Sequence, residues 1–136
     1  MKLLVSEEDI QKRVKELAKQ ITEDYKDKSP IFIGILNGCY VFMADLLREI
    51  DLDVEVDFVK IRSYEADSST GTIKFRKDIS ADINNRHIII VEDIIDSGFT
   101  INFLVNRLRG SGPKSVAVAS ILFKKEVAKI DFEVDY

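Results

Sequence analysis

The chain has a single cysteine, Cys39, in 136 residues. One thiol excludes an internal disulfide framework and a cysteine-based zinc cluster, and it makes a reduced, cytoplasmic setting the default expectation. No apolar run approaches the roughly 20 residues a membrane-spanning helix needs, so no membrane partner is expected. The amino terminus, Met1-Lys2-Leu3-Leu4-Val5-Ser6-Glu7-Glu8-Asp9, turns acidic before the apolar core of a signal peptide could develop. Basic residues are scattered rather than clustered, and the net charge is −4 with a pI near 5.1. A nucleic-acid groove wants a concentrated positive surface, so that partner is not expected. Internal repeats, low-complexity tracts and linker-like stretches are also lacking, and residues 1–136 read as a single domain.

What is present is ordinary globular composition, 46% hydrophobic and 32% charged. The acidic balance implies that a polyanionic substrate would need a metal ion to offset repulsion. Ser6-Glu7-Glu8-Asp9 marks a helix start, and Ile10, Val14, Leu17, Ala18 and Ile21 then recur at helical spacing on one stripe. Ile31 to Ile35 is a continuous apolar run suited to a strand buried on both faces. Leu36-Asn37-Gly38-Cys39-Tyr40 follows it, then a helical pattern from Val41 to Ile50. From Val54 to Ile61 the residues alternate, with Val54, Val56 and Phe58 on one side and Glu55 and Asp57 on the other. Ser63 to Thr72 is polar, small and glycine-containing, a loop by composition, and Thr72 to Phe75 is a short strand candidate. His87 to Val91 is the strongest buried strand. Thr100 to Arg109 is helical in pattern and stops at Gly110-Ser111-Gly112-Pro113, and Ser115 to Phe123 is a further apolar strand. Strands alternating with helices predict an α/β fold with a mostly parallel central sheet flanked by helices.

Ligands of open α/β sheets bind beyond the carboxyl ends of the strands. There the sequence places Val91-Glu92-Asp93-Ile94-Ile95-Asp96-Ser97-Gly98-Phe99-Thr100. Gly98 permits close backbone approach, and the N–H groups of a helix start with the Ser97 and Thr100 hydroxyls suit a phosphate. Glu92 and Asp93 can accept hydrogen bonds from vicinal ribose hydroxyls or sit near Mg²⁺. Asp96 lies between the two subsites, where it could exchange a proton with a ring nitrogen. Each of these residues taken singly is a common turn or capping residue. Three acids and a Ser-Gly-x-Thr turn directly after a buried strand favour phosphate binding over a simple cap.

The same stretch resembles the phosphoribosyl-diphosphate signature of the type I phosphoribosyltransferases, and more narrowly that of the hypoxanthine-guanine branch. The similarity runs in order from about Val5 to Tyr136. It implies the type I phosphoribosyltransferase fold, Mg²⁺ as cofactor, and transfer of a phosphoribosyl group from phosphoribosyl diphosphate to a 6-oxopurine. On that resemblance Glu92, Asp93, Ser97, Gly98, Phe99 and Thr100 hold the phosphoribosyl group, with Glu92 and Asp93 at the metal, and Asp96 takes the proton from N7. Asn37 and Gly38 match the loop that holds the diphosphate, where the family often has Lys or Arg in place of Asn37. Lys124, after Ile121-Leu122-Phe123, matches the residue that contacts the purine 6-oxo group. Ser63-Tyr64, with Ser69-Thr70-Gly71, resembles the flexible flap that closes over the substrates. His87 opens a strand and is expected to be structural, and Cys39 to be a space-filling residue.

The family continues past Asp131-Phe132-Glu133-Val134-Asp135-Tyr136 with an aromatic that stacks on the purine, backbone groups that read its edge, an Asp for a second Mg²⁺ and an Arg near the diphosphate. The resemblance therefore implies weak or no turnover by residues 1–136 alone, and a homo-oligomer, dimer or tetramer, for the full-length form. The alternative is a non-catalytic protein that senses phosphoribosyl diphosphate or nucleotide. Asp96 and Lys124, which mere phosphoribosyl binding does not need, argue against that alternative.

Overall fold

The computed structural model describes residues 7–36, 38–64, 72–95 and 98–123. The order of elements is α1 (Glu7–Asp24), β1 (Ile31–Leu36), α2 (Tyr40–Glu49), β2 (Glu55–Tyr64), β3 (Thr72–Lys77), β4 (His87–Ile95), α3 (Phe99–Arg109) and β5 (Ser115–Phe123). The strands form one sheet in the order β3-β2-β1-β4-β5. β1 pairs in parallel with β2 and β4, and β4 with β5, while β3 returns antiparallel to β2. The expected α/β architecture with a mostly parallel sheet is therefore observed.

Period-two alternation along the strands separates the core into two layers. Phe32, Ile89, Val91, Ala117 and Ala119 pack with Val14, Leu17, Ala18 and Ile21 of α1 and Phe42, Met43 and Leu46 of α2. Ile31, Ile33, Ile35, Ile88, Ile90 and Val118 pack on the opposite face with Ile101, Leu104, Val105 and Leu108 of α3. Each Val, Leu, Ile, Phe or Met side chain among these, fully buried, contributes roughly 1.5–3 kcal/mol of transfer free energy. The helical stripe expected in α1 is the buried one, with Ile10 at its partly buried end.

Two boundaries near the crevice differ from the sequence reading. β4 does not end at Val91 but runs to Ile95, paired with β5 as far as Ile95 and Phe123. Glu92 and Asp93 thus lie within the strand, because a main-chain ladder continues past the core without needing apolar side chains. Ser63 and Tyr64 likewise belong to β2, opposite Ile73 and Thr72 of β3, and not to the loop. The polar composition there hid a hairpin ladder. α3 stops at Arg109 as its pattern predicts, with Gly110 as the C-cap and Gly112 (φ 74°) as the left-handed glycine beyond it.

Just before β2 and within it, Val54 and Phe58 pack on the α1–α2 layer as the alternation predicts, but two positions between them depart from it. Val56 is exposed, while Asp57 is buried on the α3 side of the sheet. Its carboxylate accepts backbone N–H groups of Phe58 at 2.8 Å, Ser80 at 2.6 Å and Ala81 at 2.9 Å. These bonds tie the return from β3 to β4 against β2, where Ile79, Ala81 and Ile83 join the α3 layer.

Candidate functional site

β1 and β4 stop pairing at Gly34 and Val91, although β1 continues beside β2 to Leu36 and β4 beside β5 to Ile95. The chain leaves β1 for α2 on one face of the sheet and leaves β4 for α3 on the other. A crevice at such a reversal is where open α/β sheets bind ligands.

Two helix amino termini follow these strands, and among the described residues both lack the usual complement. α2 has Cys39 at its N-cap and α3 has Gly98, neither with a side-chain capping bond, and neither helix has an acid in its first turn. α1, away from the crevice, begins with Glu7, Glu8 and Asp9. Helix amino termini carry N–H groups and a partial positive charge, so two ends without a side-chain cap or an acid in their first turn suit an anionic ligand with two phosphate groups.

The backbone that delivers these ends is tight. Cys39 donates its N–H to the Ile35 carbonyl at 3.2 Å, closing the turn that contains Gly38. Gly98 adopts φ 82°, a left-handed conformation that glycine takes without steric cost, and its carbonyl accepts the Asn102 N–H at 2.9 Å to open α3. Gly98 is buried and Thr100 half-buried at the start of the helix, with Phe99 as its first residue.

Glu92 is half-buried in β4 opposite Ser120 of β5, and Asp93 is the next strand residue. Asn37, Asp96, Ser97 and Lys124 lie outside the described residues. Among the expected site residues, the crevice end of the sheet thus brings together Gly38, Glu92, Asp93, Gly98, Phe99 and Thr100. Ser63 and Tyr64 lie at the carboxyl end of the neighbouring strand β2.

Carboxylates are the hard oxygen donors that Mg²⁺ takes. Among the described residues no three His, Cys, Asp or Glu side chains converge on one point.

Sequence reasoning did not identify Asp57 as an organiser of the return to β4, nor Gly34 as the last residue of β1 paired with β4. For Asp57 the available signal was an acid inside an apolar strand, and for Gly34 a glycine inside a buried one.

The family model for a phosphoribosyl transferase domain matches residues 4–135. The hypoxanthine-guanine phosphoribosyltransferase of Bacillus subtilis (strain 168) is 43% identical over 136 residues, covering 99% of this chain and 76% of that protein. The crystal structure of a hypoxanthine phosphoribosyltransferase from Staphylococcus aureus superposes with a TM-score of 0.92 at 36% identity, covering 99% of this chain and 74% of that one. A hypoxanthine-guanine phosphoribosyltransferase from Bacillus anthracis gives 0.91 at 41% identity, covering 100% of this chain and 81% of that one. With a family model matched over residues 4–135, 43% identity to a relative covered over three quarters of its length and TM-scores above 0.9, the chain belongs to the phosphoribosyl transferase family, in its hypoxanthine-guanine phosphoribosyltransferase branch.

Proposed function

We propose that the chain acts in purine salvage, transferring the 5-phosphoribosyl group of phosphoribosyl diphosphate to a 6-oxopurine, hypoxanthine or guanine. The bond from ribose C1 to the diphosphate oxygen breaks, a bond from C1 to the purine nitrogen forms, and the purine gives up one proton. The observation that carries this reading is the parting of β1 and β4 between two helix starts without side-chain caps. That arrangement suits a ligand with a phosphate at each end and a sugar between.

In this reading the turn of Asn37 and Gly38 holds the leaving diphosphate. Ser97, Gly98, Phe99 and Thr100 hold the 5′-phosphate at the head of α3. Glu92 and Asp93 hold the ribose hydroxyls and Mg²⁺, which neutralises charge on the departing diphosphate. Lys124 donates to the purine 6-oxo group and Asp96 accepts the N7 proton. Ser63 and Tyr64 form the root of a flap that excludes water from the oxocarbenium-like centre and so favours transfer over hydrolysis. Catalysis comes from positioning and charge stabilisation of a loose transition state. A cytoplasmic setting accords with the reduced, buried thiol of Cys39, and a homo-oligomer belongs to the same reading. The relatives above are named as transferases, and nothing favours a non-catalytic regulatory role.

The test is formation of inosine monophosphate from hypoxanthine and Mg²⁺–phosphoribosyl diphosphate, compared between the chain and Asp96→Asn. Loss of the general base should lower the rate by about 10²–10⁴-fold. Equal rates of product formation in the two proteins would count against the assignment.

A further inference from the structure

Gly34 occupies the last position at which β1 still pairs with β4, on the sheet face covered by α1 and α2. A Cβ placed on it would lie 2.7 Å from Cys39 Sγ, 2.9 Å from Met43 Sδ and 3.1 Å from Phe58 Cδ1. Non-bonded heavy atoms settle at about 3.5–4.0 Å, so even one methyl group at Gly34 requires something to move. Met43 can swing the end of its flexible side chain. Cys39 has a single side-chain torsion, is fully buried, and is held by two backbone bonds, its N–H to Ile35 and its carbonyl to Met43 at 2.8 Å. Room for a methyl group at Gly34 therefore comes from the backbone of the turn that joins β1 to α2, next to Gly38.

We infer that Gly34 is a positioning residue for the diphosphate subsite. Its missing side chain lets Cys39 Sγ seat against β1, and this contact fixes how deeply the Gly38 backbone sits in the crevice. The inference rests on the reading of Gly38 as a diphosphate contact, and it gives the buried thiol a role in packing rather than in chemistry. Misplacing a binding group by about 1 Å can cost on the order of 10²-fold, so a shift of a few tenths of that should be measurable.

The experiment titrates the chain calorimetrically with Mg²⁺ and inorganic diphosphate, and separately with inosine monophosphate, whose phosphate belongs at the α3 end of the crevice. Gly34→Ala should weaken diphosphate binding about fivefold or more while leaving inosine monophosphate within about twofold. Gly34→Ala/Cys39→Ala, which moves the bulk from one side of the contact to the other, should restore diphosphate affinity to within about twofold of the unsubstituted chain. If Gly34→Ala does not fold, Cys39→Val, which crowds the same contact from the helix side, is judged by the same split between ligands. Diphosphate affinity indifferent to Gly34→Ala, equal losses for both ligands, or no rescue in the double variant would overturn the inference. Failure of the unsubstituted chain to bind diphosphate while it binds inosine monophosphate would instead remove Gly38 as a diphosphate contact, and the inference with it.

Discussion

The Asp57 carboxylate in β2 accepts the backbone N–H of Ser80 at 2.6 Å, across 23 residues of chain that include the whole of β3. With the bonds from Ala81 and Phe58, it satisfies three main-chain donors from a largely buried position. An asparagine would turn an N–H₂ toward at least one of those donors. Asp57→Asn should therefore lower stability by about 1.5–3 kcal/mol, the range for hydrogen bonds to charged groups, and Asp57→Ala at least as much. Urea denaturation checks this, and a change below about 0.5 kcal/mol would show that the bonds are replaceable by water.

Gly98 at φ 82° starts α3 in a conformation that costs a residue with a Cβ about 1–2 kcal/mol. Gly98→Ala should lower the melting temperature accordingly and weaken binding of nucleoside monophosphate, because the strain is relieved by turning the first N–H groups of the helix. Thermal denaturation alongside a binding titration separates the two effects. Unchanged affinity in a destabilised protein would mean that the helix start does not hold the phosphate.

His87, the only histidine, shares a 2.7 Å hydrogen bond with Ser115 and meets Tyr25 edge-on at 6.1 Å between ring centroids. Burial holds its pKa below the ordinary 6.5, and the charges of Lys28 and Lys114 act in the same direction. The unfolded chain therefore binds the proton more readily than the folded one. The contribution of His87 to stability is complete above about pH 6.5 and is lost as pH falls below that value through the folded pKa. One imidazole gives one titrating signal in proton resonance spectra, so the shift is directly observable. His87→Gln should flatten that portion of the stability profile, and an unchanged profile would contradict the assignment.

Arg107 of α3 reaches Asp78, just after β3, at 2.8 Å, with both side chains more than a third exposed. Solvent-exposed pairs of this kind contribute about 0.2–1 kcal/mol and weaken with salt. A double-mutant cycle on Arg107→Ala and Asp78→Ala should return a coupling in that range that shrinks at high ionic strength. A coupling above about 2 kcal/mol would point to a network beyond the pair.

Much of the fold was legible because apolar periodicity reports burial directly. The stripe of Val14, Leu17, Ala18 and Ile21 and the runs at Ile31–Leu36 and Ser115–Phe123 behave as their patterns require. The misplaced boundaries share one cause. At Glu92-Asp93 and Ser63-Tyr64 the ladder is made by main-chain groups while the side chains are polar, so composition suggested loop where backbone pairing continues. Asp57 escaped for a different reason, since its partners at Ser80 and Ala81 are brought near only by tertiary structure. Strand order was likewise beyond local pattern, and with it the fact that the ends of β1 and β4 are neighbours. The motif at Glu92 to Thr100 marked one side of the crevice, and the turn at Gly38 is joined to it only through that order.

The central claim is that the crevice between the carboxyl ends of β1 and β4 binds phosphoribosyl diphosphate with Mg²⁺. Its most direct test is calorimetric titration of the 136-residue chain with Mg²⁺–phosphoribosyl diphosphate, repeated with the metal chelated and with Asp93→Ala/Ser97→Ala. Saturable binding that disappears without Mg²⁺ and in the double variant is the expected result. Binding that survives both changes, or none by a demonstrably folded chain, would contradict it.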